Sequence, residues 1–218
     1  MEYHKIQTVF LRDPETKYRT LLEGQFALPE FEYLADNKWV FTEKVDGTNV
    51  RIIWRNGSIE FGGKTDTAQL DMRLVKRLME RFLPEVSRFA EVFGEGGAAC
   101  LYGEGYGPGI SGGGKYRNDH DFVLFDVRVG DWILERHNVE DVASKLGLDV
   151  VPVIGCGTLA DMVEMTRWGF KSRWGDFIAE GIVARPAVEL FARSGDRIIT
   201  KIKHNDFSYY HQDQTQRL

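Results

Sequence analysis

Residues 39–63, WVFTEKVDGTNVRIIWRNGSIEFGG, alternate apolar with polar positions and are rich in Val, Ile, Phe and Trp, which predicts half-buried strands. Asn56 and Gly57 fall between VRIIWR and SIEF, and that dipeptide tolerates the positive φ a type I′ hairpin turn requires. The period changes at 68–82, AQLDMRLVKRLMERF, where Leu74, Val75, Leu78, Met79 and Phe82 share a helical face, with Thr67 as cap and Pro84 as stop. Strands are expected again at 98–104, 121–129 and 131–135. A helix follows at 139–146, capped by Asn138 and ended by Gly147, and another at 159–168, where Thr158 and Asp161 are spaced as a capping box. Strands return at 176–185 and 197–203, and the closing run YYHQDQTQRL (209–218) is expected to fray. Strands in pairs with helices in blocks predict an α+β fold with antiparallel sheets. No repeat or Pro/Ser-rich linker divides the chain, so one domain over 1–218 is expected.

Composition narrows this picture only slightly. No apolar run approaches the roughly 18 residues of a membrane-spanning helix, and MEYHKIQTVFLRDPETK lacks the apolar stretch of a secretory signal. A cytoplasmic protein with no membrane partner is the expectation. Cys100 and Cys156 have no C-x-x-C spacing and read as small buried hydrophobes. A net charge of −5 is not that of a dedicated nucleic-acid binder, so a polyanion would have to be held by a local cluster of Lys and Arg.

One stretch suggests a phosphate loop. YGEGYGPGISGGGKY (102–116) contains G-x-G-x-x-G and falls one residue short of a Walker A motif. Tyr116 stands where Walker A needs a magnesium-binding hydroxyl, and DFVLFDV beyond the loop reads as a strand where both motifs need a helix. The stretch is therefore expected to be a loop between two strands, the first of which ends in Glu104.

Charged residues in apolar strand contexts carry more. Lys44 ends a strand in TEKVDGTN, and a period of two would put Asp46 on its face; a solvated edge lysine is the ordinary alternative. In RIITKIKHND, Arg197, Ile199, Lys201 and Lys203 share one face, and adjacent lysines suit either an anion such as phosphate or an edge protected against aggregation. Glu104 and Glu180 interrupt apolar runs, which suits a metal ligand or a structural ion pair.

Taken in order, K-x-D-G at 44–47, Glu104, FDV at 125–127, EGIV at 180–183 and K-x-K at 201–203 resemble the five nucleotidyltransferase motifs of the polynucleotide ligase and mRNA capping enzyme superfamily. KIQTVFLRD (5–13), the glutamate before the lysine in EKVDGTN, and YGEGYGPGI resemble its RNA ligase 2-like branch. The resemblance implies an adenylation domain with antiparallel sheets flanked by helices and a nucleotide pocket between them. It implies that Lys44 attacks the α-phosphate of ATP to form lysyl-AMP, with Asp46, Lys201 and Lys203 completing the catalytic set. A lysine attacks only in its neutral form, which burial or neighbouring cations favour.

Glu104 and Glu180 would hold Mg²⁺ or Mn²⁺, and both would also contact the nucleotide, as would Lys201 and Lys203. Phe125 would stack on adenine and Glu43 would face its edge, while Asn49 and Lys64 would contact the nucleotide and the 5′-phosphate end. The implied partner is RNA with 5′-phosphate and 3′-hydroxyl ends, a nicked duplex among them. An accessory protein is also expected, because the chain stops soon after Lys203, where most such ligases carry a further domain. A DNA ligase or capping guanylyltransferase of the same fold, and a non-catalytic nucleotide- or RNA-binding module, remain the alternatives.

Overall fold

Alternation and helical period are realised as an α+β chain; the computed structural model describes residues 2–208, so the run at 209–218 lies outside the described residues. In chain order the strands are β1 (Gln7–Thr8), β2 (Phe10–Arg12), β3 (Leu21–Phe26), β4 (Trp39–Lys44), β5 (Thr48–Arg55), β6 (Ser58–Gly62), β7 (Ala98–Tyr106), β8 (Asp121–Val129), β9 (Trp132–Ile133), β10 (Val153–Gly157), β11 (Gly181–Pro186) and β12 (Thr200–Lys203). The α-helices are α1 (Pro29–Tyr33), α2 (Met72–Phe82), α3 (Val86–Phe93), α4 (Arg136–Leu146) and α5 (Leu159–Trp168). Among the described residues they form two compact units, one from 2–3 and 45–151, the other from 4–44 and 152–208.

In the first unit an antiparallel sheet runs β6-β5-β7-β8-β9. The hairpin turn forms as its residues dictate, with Asn56 at φ 52 and Gly57 at φ 72. One sheet face carries Val50, Ile52, Trp54, Leu101, Phe122 and Leu124 into a core covered by Leu74, Leu78 and Phe82 of α2, Phe89 of α3 and Val139 of α4. Phe82 meets Phe89 and Phe122 edge-on, with ring centroids 6.2 and 5.9 Å apart. Such pairs add about 0.5–1.5 kcal/mol beyond their buried area.

In the second unit the sheet runs β1-β12-β11-β4-β10, and β2 and β3 pair separately. All its pairings are antiparallel except the two-residue parallel contact of β1 with β12. Trp39, Phe41, Ile182, Ala184 and Ile202 face a core closed by Phe31 of α1 and by Leu159 and Met162 of α5. The Thr158–Asp161 capping box forms in full and fixes where α5 begins.

Several elements depart from expectation. α2 starts at Met72 because Asp71, not Thr67, caps it, its carboxylate accepting from Arg73 N–H at 2.8 Å. Only Leu74, Leu78 and Phe82 of the expected face are buried, while Met79 is 45% exposed. α2 ends at Phe82, ahead of Pro84 as expected, but the chain then turns through one 3₁₀ turn into the unexpected α3, since a helix's first turn does not need the N–H donor that proline lacks. α4 begins at Arg136 after Glu135, not after an Asn138 cap, although Gly147 ends it as expected, at φ 65. The expected strands at 131–135, 176–185 and 197–203 shorten to β9, β11 and β12. Cys100 is buried as expected, but Cys156 is exposed. No helix among the described residues is long and apolar enough to cross a membrane.

Candidate functional site

In the second unit, β4 and β12 both pair with β11, and the register sets Lys44 opposite Gly181 and Gly181 opposite Lys203. Cross-strand partners point to the same face, so the two lysines flank a position that has no side chain. A strand spacing of about 4.8 Å puts their Cα atoms roughly 10 Å apart. Lys201 lies two residues from Lys203 on the same face, opposite Val183. A Cβ on Gly181 would stand 2.1 Å from the Ile202 carbonyl oxygen, so glycine is what lets β11 close against β12 here. Glu180, just ahead of β11, bridges the row, accepting from Lys44 Nζ at Oε2 and from Lys203 Nζ at Oε1, both at 2.6 Å. Lys44, Lys201 and Lys203 thus share one sheet face, and lysine ammonium groups are suited to an anionic ligand such as phosphate.

Glu43 points the other way, into the core side of β4, and is 1% exposed. Ser172 Oγ donates to its Oε1 at 2.6 Å and Arg173 N–H to its Oε2 at 2.9 Å. Burial raises its pKa above the usual carboxyl value, and these two hydrogen bonds oppose the rise. β4 ends at Lys44, so the strand period does not extend to Asp46, which lies in a bend. Arg197 likewise lies ahead of β12 and pairs with Glu189 at 2.6 Å.

In the first unit, Asn49 on β5 stands opposite Glu104 on β7, on the sheet face away from the core. The Asn49 Oδ1 atom is buried and finds no hydrogen-bond partner among the described residues. Such an orphan acceptor costs about 1–3 kcal/mol and marks a place for a donor. Gly47 packs beneath Glu104: a Cβ there would stand 2.3 Å from the Gly105 carbonyl oxygen and 2.9 Å from Glu104 Cγ.

Phe125 is the extra residue of a β-bulge, since Tyr102 pairs with Asp126 and Gly103 with Leu124. Its neighbours Phe122, Val123 and Leu124 are fully buried, whereas Phe125 stays partly exposed and outside the core cluster. Lys64 is exposed just past β6, in a segment that Arg51 pins by Nε to the Gly63 carbonyl at 2.6 Å and by Nη1 to Asp66 at 2.8 Å.

Three contributors were not foreseen. Tyr3 donates to the Asp126 carboxylate and sets its ring 5.1 Å from Phe125. Tyr116 accepts from Asp46 N–H at 3.0 Å, and a Cβ on Gly112 would stand 2.3 Å from Asp46 Oδ2. The glycine-rich stretch is thus a loop folded against Asp46, with one 3₁₀ turn at Gly113–Lys115 and β8 beyond it. Ser172 is the third, through Glu43. Among the described residues no group of three or more His, Cys, Asp or Glu side chains is placed to hold a metal. A divalent ion would therefore rest on one or two carboxylates completed by water and phosphate oxygens, a donor set that suits Mg²⁺ or Mn²⁺.

A protein-family model described as RNA ligase matches residues 37–203, which include every candidate residue named above from Glu43 to Lys203. Among solved structures, an apo mutant of the Naegleria gruberi RNA ligase superposes with a TM-score of 0.70 at 16% identity, over 98% of this chain and 58% of that one. A mutant of the same ligase with ATP and Mn gives a TM-score of 0.69 at 16% identity, over 98% and 59%. The ligase with pyrophosphate gives 0.68 at 17% identity, over 98% and 58%. At such identity the likeness is one of fold, the RNA ligase nucleotidyltransferase fold. The chain spans 58–59% of the length of these ligase chains.

Proposed function

We propose, from the premise that this chain belongs to the RNA ligase family, that it is an ATP-dependent RNA ligase working through a covalent lysyl-AMP at Lys44. The observation that carries the reading is the row Lys44–Glu180–Lys203 on one sheet face, with Lys201 beside it.

Lys44 gives up its proton and its Nζ attacks the α-phosphorus of ATP; the N–P bond forms as the bond to the pyrophosphate oxygen breaks. Before that proton leaves, Glu180 gathers Lys44 and Lys203 onto the two oxygens of one carboxylate and so orients both side chains. Lys201 and Lys203 offset the charge that builds on the α-phosphate, a contribution that is larger when the donors are already in place. Glu104 and Glu180 would hold Mg²⁺ or Mn²⁺, which when bound offsets phosphate charge. Asn49 would donate through its amide, or accept at Oδ1, where nucleotide or 5′-phosphate end binds. Phe125 would stack on adenine, Asp46 would orient the reacting groups, and Lys64 would contact phosphate from its exposed position.

AMP then passes from Lys44 to an RNA 5′-phosphate, and a 3′-hydroxyl displaces it to seal the strand. We place this work in cytoplasmic RNA repair, with 1–218 serving as one adenylation domain and an accessory protein helping to engage RNA. The test is incubation with ATP, Mg²⁺ or Mn²⁺ and 5′-radiolabelled RNA, as a nicked duplex or as single-stranded ends, beside matched DNA. The expected result is label made phosphatase-resistant on RNA; sealing of DNA alone would overturn the RNA assignment, and no sealing of either would overturn the ligase.

A further inference from the structure

We propose that Glu43 is a positioning residue, a buried clamp that sets Lys44 and Glu180 against each other by pinning the turn that leads into Glu180. This rests on the reading of Lys44 as nucleophile. Glu43 directly precedes Lys44, and the Phe170–Ala179 turn directly precedes Glu180. The turn is closed by Ala179 N–H to the Phe170 carbonyl at 3.0 Å and by Ser172 N–H to the Phe177 carbonyl at 2.9 Å. Inside it, Ser172 Oγ accepts from Trp174 N–H at 3.1 Å while donating to Glu43 at 2.6 Å, and Arg173 N–H takes the second Glu43 oxygen.

The carboxyl thus ties the approaches to both members of the Lys44–Glu180 pair, from the opposite face of the same strand. With both oxygens engaged by the turn and 1% exposure, Glu43 is built to hold protein more than to read a base. The resemblance placed Glu43 at the adenine edge, and the two roles give different kinetics.

The experiment measures single-turnover self-adenylation against ATP concentration for the parent, Glu43→Gln, Ser172→Ala and the double variant, beside trypsin cleavage after Lys171 and Arg173. Gln keeps the shape of Glu but presents an N–H to one of the two donors. Loss of one charge-assisted bond is expected to lower the saturated rate roughly tenfold, with the half-saturating ATP concentration unchanged. Ser172→Ala should lower the same rate, the double variant should show less than the product of the two effects, and cleavage in the turn should accelerate.

If half-saturation rises and ATP loses its advantage over GTP while Ser172→Ala behaves as the parent, Glu43 reads the base and the clamp is overturned. Faster cleavage with an unchanged rate would reduce the contact to a fold contact and also overturn it. A parent that takes no label at all would fail the ligase reading; unchanged cleavage in Glu43→Gln would then separately overturn the clamp.

Discussion

Replacing Gly47 by alanine tests whether the glycine of K-x-D-G is there for space. Its Cβ would stand 2.3 Å from the Gly105 carbonyl and 2.9 Å from Glu104 Cγ, against an ordinary contact of 3.4–4 Å. Relief demands that β7 or the Asp46–Gly47 bend move by about 1 Å, since a backbone carbonyl cannot rotate away as a side chain can. Overpacking of this kind costs about 1–3 kcal/mol. In a chain of this length each kcal/mol lowers Tm by about 2–4 °C, so a drop of about 2–12 °C is expected by differential scanning fluorimetry. A displacement of about 1 Å at reacting groups costs on the order of 100-fold in rate, so labelling of the protein by radioactive ATP should slow to that extent. An alanine variant with parental Tm and parental labelling rate would refute the steric reasoning.

Gly181→Ala should behave alike in the second unit, because its Cβ would stand 2.1 Å from the Ile202 carbonyl and split β11 from β12. Labelling should then fall by at least about tenfold as Lys203 leaves Glu180, and a parental rate would contradict the role given to this row. Stability should also vary with pH through Glu43, whose pKa burial raises above the ordinary 4.5. A raised carboxyl contributes stability that is complete below 4.5 and is lost as pH rises through the folded value. The Tm of Glu43→Gln, measured relative to the parent, should therefore climb as pH rises above 4.5, and a constant difference would contradict the assignment.

The parts legible in the sequence were those whose cause is local. The Asn56-Gly57 hairpin and the Thr158–Asp161 box are set by residues within a few positions of one another, and both form. The Lys201–Lys203 face followed from the period of two, and Glu180 stood out because a carboxylate in an apolar run needs a partner. What escaped depended on contacts distant in sequence or on segments too short for periodicity. β1 and β2 have two and three residues, and α3 was hidden behind Pro84, which reads as a stop but sits ahead of a helix. Ser172 meets Glu43 across 129 positions and Tyr3 meets Asp126 across 123, which no spacing rule reaches. The bulge that frees Phe125 from the core is a register shift, and alternation along one strand does not reveal it.

The central claim is that Lys44 becomes covalently joined to AMP. Incubating the purified chain with α-labelled ATP and Mg²⁺ or Mn²⁺, then running a denaturing gel beside Lys44→Ala and beside labelled GTP, tests it most directly. The account predicts label on the protein from ATP, little from GTP, and none on Lys44→Ala while that variant keeps the parental Tm. Label retained by Lys44→Ala, label chiefly from GTP, or no label on a folded parent would contradict it.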